Sequence, residues 1–132
     1  RRQRQMCIRD RDKIKRCRPH IASKEAKKTS DEEQFQNQVI RPILKFQNEL
    51  FIKLFLSNCK TYKINFIEFN SEEKHDYINH IFKKDFKLRA SFIGTVIALF
   101  TLEEFEKYSV NQQLYNKRII QMLTERLKNQ MV

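Results

Sequence analysis

Glycine and proline are nearly absent from this chain, with one glycine and two prolines in 132 residues. An all-β protein needs such turn residues about every ten positions, so that class is excluded. Glycine-rich phosphate loops fall with it. No apolar run is long enough to cross a bilayer: the longest, SFIGTVIALFTL (91–102), has twelve residues, where a spanning helix needs about 20. Nothing near the start pairs an apolar run with a small-residue cleavage site, so no signal peptide is expected. The three cysteines include no CxxC pair. Such isolated thiols suit a reducing cytoplasm and give no disulfide framework.

Aromatic residues are missing from the first 30 positions, and all eleven Phe and four Tyr come later. Charge has the opposite bias. Residues 1–11 carry a net +4 and residues 12–30 a net +5, leaving only +2 of the total +11 for 31–132. A charged segment without aromatics buries too little surface to offset its ordering entropy. Residues 12–30 are therefore expected to be a disordered basic tail and 31–132 the folded domain. The opening RRQRQMCIRDR is expected to be foreign. Read back into codons it resembles the transposase-based sequencing adaptor ending in AGATGTGTATAAGAGACAG, and it holds five Arg and no Lys. No Met follows it until Met122, so the natural start codon is expected to be missing.

The body reads as all-α, a small bundle of four to five helices. SDEE (30–33) has the form of a capping box. Phe35, Val39, Ile43, Phe46, Leu50 and Leu54 then recur at helical spacing, with Ile40, Leu44, Phe51 and Phe55 widening the stripe. Pro42 falls inside and predicts a kink near Ile40–Arg41. In CKTYKINFIEF (59–69) Tyr62, Ile64 and Phe66 alternate with polar residues, but no second strand is available, so a loop anchored by aromatics is expected. A helix capped at Asn70 or Ser71 carries the stripe Ile78, Ile81, Asp85, Leu88, Phe92, Val96, Leu99. Gly94 in its middle predicts a close helix crossing. TLEE (101–104) is a second capping box, and a last helix follows SVNQ (109–112).

Candidate chemistry is sparse. His75, Asp76 and His80 suggest a metal cluster, but the two histidines are five apart, about 140° around a helix, and a site needs at least a third ligand. They are expected to be surface residues. Asp85 lies within an apolar stripe, which suggests an acid or base, or an i,i+4 pair with Arg89 at the stripe's edge; the pair is favoured. Cys59 has no nearby His and reads as a packing residue. Lys83, Lys84, Lys87, Arg89, Lys117, Arg118, Arg126 and Lys128 offer basic faces, interleaved with acids. No cofactor and no metal are expected.

Four stretches together, EEQFQNQVIRPILKFQNEL (32–50), YINHIFKKDFKLRASFIG (77–94), FTLEEFEKY (100–108) and LYNKRIIQMLTERL (114–127), resemble a family of small bacterial helical proteins labelled "glyoxalase". The resemblance implies an all-α fold and brings no activity with it. Glyoxalase I enzymes hold their metal with His and Glu from paired βαβββ modules, whereas this body has two histidines on one predicted helix. The leading expectation is a non-enzymatic, cytoplasmic protein-interaction module whose partner is a second copy or another protein. The alternatives are a nucleic-acid-associated regulator using the tail and the lysine faces, and a glyoxalase-like enzyme.

Overall fold

Ser30 starts the main body by accepting the Glu33 amide on its hydroxyl at 3.2 Å. Helix α2 (Asp31–Phe35) follows with three acids in its first turn, facing the positive end of its dipole. The computed structural model describes residues 10–19 and 30–132, and among them every regular element is helical. A further helix, α1, covers residues 10–16.

Pro42 acts where the sequence places it. It cannot donate to the carbonyl four residues back, and the preceding segment Gln36–Ile40 widens into a π turn in which the Arg41 amide bonds Gln36 O. Helix α3 (Arg41–Phe46) continues beyond it, and a turn at Gln47 leads into α4 (Asn48–Thr61). These two irregularities change the phase of the apolar face. Phe46 and Leu50, expected inside, are 48% and 43% exposed, whereas Ile40, Leu44, Phe51 and Phe55 are fully buried or nearly so.

The 59–69 stretch forms no strand. Its first residues complete α4, a short 3-10 turn covers Phe66–Glu68, and Phe66 is buried. The end of α4 is a Schellman cap, with Ile64 N bonded to Cys59 O (2.8 Å) and Lys63 N to Lys60 O (3.1 Å). That motif needs a left-handed residue, and here it is Lys63 at φ 56°.

The stripe expected to run unbroken from Ile78 to Leu99 is divided. Helix α5 (Ser71–Lys84) opens on a full capping box between Asn70 and Glu73. Asp85 then turns extended (φ −106°, ψ 93°) and caps a new helix, α6 (Phe86–Ile97). Helix α7 (Leu102–Val110) opens on the Thr101–Glu104 box, and α8 (Gln112–Met131) closes the chain. Among the described residues the helices therefore outnumber the four or five expected, because Pro42, Gln47 and Asp85 subdivide two long ones. Helix α8 packs along α5 and α6 and touches α7 and the π turn. Ring pairs knit the core, among them Phe51–Phe92 (5.3 Å), Phe82–Phe92 (5.2 Å) and Phe35–Phe100 (5.6 Å), in tilted or edge-to-face geometry.

Gly94 does not mark a helix crossing: it is exposed, and a Cβ built there meets nothing within 4 Å. The chain thus has its glycine in mid-helix and a lysine where a glycine belongs. Gly94→Ala and Lys63→Gly are each expected to raise the unfolding free energy by about 0.5–1 kcal/mol. Each gain would appear as a higher urea midpoint at unchanged slope; a lower midpoint would refute the corresponding assignment.

Candidate functional site

Glu104 occupies the third position of α7, where a capping-box acid is ordinarily solvated. Here it is 6% exposed, and a carboxylate so buried needs a cation and further hydrogen bonds. Its Oε1 accepts the Thr101 amide (2.8 Å) and Arg18 Nη2 (2.8 Å), and its Oε2 accepts Arg18 Nη1 (2.8 Å). The Arg18 side chain is itself 5% exposed. Lys15 adds a second cation 4.0 Å from Oε2.

The same guanidinium donates to Leu99 O, while Arg11 donates to Phe100 O (2.7 Å) and Ala98 O (3.3 Å). The open carbonyls at the end of α6 are thus met by two cations at the negative end of its dipole. The expectation that residues 12–30 are a disordered tail fails over 12–19. These residues have no aromatics to bury, but they supply the charge that the body's buried carboxylate lacks. Arg11, assigned by its codons to adaptor sequence, makes the neighbouring contact. Residues 1–9, which hold the rest of that stretch, and residues 20–29 lie outside the described residues.

Burial alone would raise the Glu104 carboxyl pKa. The Arg18 fork, the Thr101 amide and the Arg18 and Lys15 charges outweigh it and hold the group below its usual value. A depressed folded-state pKa stabilises the fold above the unfolded carboxylate value, and that contribution is lost as pH falls through the folded one.

Beside this pair lies a groove of about 680 Å³. Phe35, Val39 and Tyr115 line it with Asp31, Glu32, Glu103 and Lys107, and Val110 stands among them. Burial, with Glu32 and Asp31 nearby, pushes the Tyr115 hydroxyl up.

The other sequence candidates do not assemble a catalytic centre. Asp85 is a helix cap: its Oδ1 accepts the Leu88 amide (3.0 Å) and its Oδ2 faces Asn58 Nδ2 (3.4 Å). No Asp85–Arg89 ion pair forms; the carboxylate is turned to these other donors. His75, Asp76 and His80 are all exposed, and His80 Nδ1 bonds the Asp76 carbonyl at 2.7 Å. Among the described residues no group of three His, Cys, Asp or Glu side chains is placed to hold a metal. Cys59 is 3% exposed, with Sγ 4.0 Å from the Tyr77 hydroxyl. Burial raises its pKa against that bond, which suits packing better than nucleophilic work. The basic faces scatter. Lys128 faces Glu125 at 3.4 Å and Arg126 meets Asn48 at 3.5 Å, whereas Lys83, Arg89 and Lys117 share one cleft.

Comparison with known protein families, curated proteins and solved structures finds no match for this chain. The residues missed from the sequence are Arg11 and Arg18. No local signal marks them, because Arg18 and Glu104 are 86 positions apart. Arg18→Met, which leaves the buried Glu104 with only the solvent-exposed Lys15 at 4.0 Å as a cation, is expected to cost about 3–5 kcal/mol in urea unfolding. Adding Glu104→Gln keeps the Thr101 bond, removes the charge and should restore most of that loss. An Arg18→Met protein as stable as the parent would refute the pairing.

Proposed function

We propose that this chain is a non-enzymatic helical module that works through protein contacts, in the first instance with a second copy of itself. The observation that carries the reading is the outer face of α7. Leu102 and Phe105, one turn apart, are 57% and 44% exposed, and Val110 at the far end is 87% exposed. Apolar side chains gathered on one short helix, next to a groove with an apolar floor, are the usual mark of a contact surface. A two-fold dimer would set α7 of each protomer against the other and cover both faces with one self-complementary interface.

The reading places the protein in the cytoplasm. Among the described residues no helix is long and apolar enough to cross a membrane, and Cys17 and Cys59 are free thiols, as a reducing compartment favours. The sequence resemblance would put the chain in the bacterial helical family labelled glyoxalase. Isomerase chemistry is not assigned with that membership, because Asp85 serves as a cap and His75, Asp76 and His80 do not converge.

Light scattering across micromolar concentrations tests the reading. The chain of 16.2 kDa is expected to give the mass of two protomers, and Leu102→Glu with Phe105→Glu the mass of one at unchanged helicity. One protomer's mass for the parent chain would overturn self-association.

A further inference from the structure

The cleft between α5, α6 and α8 differs in charge from the groove beside Glu104. It encloses about 480 Å³ and is lined by His80 and Lys83 from α5, Arg89 from α6 and Lys117 from α8, with no acidic residue in the lining. Its floor is apolar, formed by Phe82 and Ile120, which are 2% and 8% exposed. The large groove mixes both signs, with Asp31, Glu32 and Glu103 against Lys15 and Lys107.

The cations of this cleft are not engaged elsewhere among the described residues. Lys83, Arg89 and Lys117 take part in none of the ion pairs there, which are Lys15–Glu104, Arg18–Glu104 and Lys128–Glu125. The reason for Arg89 is structural. The carboxylate four residues before it, Asp85, is turned to the Leu88 amide and Asn58 and makes no ion pair with it. Arg89 is half-buried in the cleft wall, where a guanidinium gains most from an anion that accepts a bidentate pair of bonds. The Nδ1 of His80 is held by the Asp76 carbonyl, which leaves Nε2 as its unbonded nitrogen.

We propose that this cleft binds a small organic phosphate, with the phosphate group held by Lys83, Arg89 and Lys117 and an apolar body seated on Phe82 and Ile120. Three cations call for a dianion rather than a single carboxylate. The volume lies in the range of small-ligand pockets, about 300–1,000 Å³. The apolar floor separates a compact ester from bare phosphate and from a nucleic-acid backbone, which would follow a charged surface without needing it.

Calorimetric titration with phenyl phosphate, inorganic phosphate and phenol, at fixed ionic strength set with sodium chloride, tests the site. Phenyl phosphate is expected to bind more tightly than either fragment. Arg89→Gln and Lys117→Gln are each expected to weaken it about tenfold, the loss of one charge-assisted contact. Lys117 is exposed, so its replacement leaves the fold intact and keeps the test valid if Arg89→Gln is poorly folded. Absence of phenyl phosphate binding, or binding unchanged in Lys117→Gln, would overturn the proposal. So would a single-stranded oligonucleotide binding where phenyl phosphate does not.

Discussion

The bidentate contact between Arg18 and Glu104 is the most buried of the contacts that hold the N-terminal segment against the body, beside those of Arg11 and Lys15. It closes over the Thr101 cap at the start of α7, reaches Leu99 O at the end of α6, and fixes α1 against both. A carboxylate left in that position without its cation would lose several kcal/mol of compensation, a large share of the roughly 5–15 kcal/mol that holds a domain folded. The contact is therefore a constraint on the rest. Helix α7 can bury the first turn of its inner face, and with it line the groove, only because a guanidinium arrives from elsewhere in the chain.

Helix ends elsewhere follow the same logic of open donors and acceptors finding partners. Asp85 spends its carboxylate on the first turn of α6 and on Asn58. That choice breaks what would have been one long helix into two, lets α6 and α5 both lie against α8, and leaves Arg89 facing a cleft without its carboxylate. Pro42 acts earlier in the chain: by withholding one amide it opens the π turn at Gln36–Ile40, a local change that often accompanies a shift in helix phase. The core then follows the deeper line of Ile40, Leu44, Phe51 and Phe55, and Phe46 and Leu50 come to the surface.

What was legible in the sequence was local. The helix start at Asn70 or Ser71, the Thr101–Glu104 box, the irregularity before Pro42 and the strandless 59–69 segment all follow from residues within one or two turns of each other. The errors came where one position had to be weighed against a distant one. Asp85 fitted an apolar stripe by spacing, but its own short side chain was better used on the next helix's amides. Gly94 suggested a crossing, yet the neighbouring space is empty. Arg18 sat in a segment whose composition argued for disorder, and the carboxylate that orders it lies 86 positions away. Composition measures how much apolar surface a segment can bury; it does not register one charge required by a partner across the fold.

The ionised state of the buried Glu104 depends on Arg18. The most direct test of that dependence is the titration of the Glu104 carboxyl carbon, followed by NMR in the whole chain. The carboxyl is expected to titrate below the ordinary glutamate value of about 4.3 in the parent protein, and to rise in Arg18→Met, where only the Thr101 amide and Lys15 still oppose burial. A parent value at or above the ordinary one, or a value unmoved by the substitution, would show that the two side chains do not share the site.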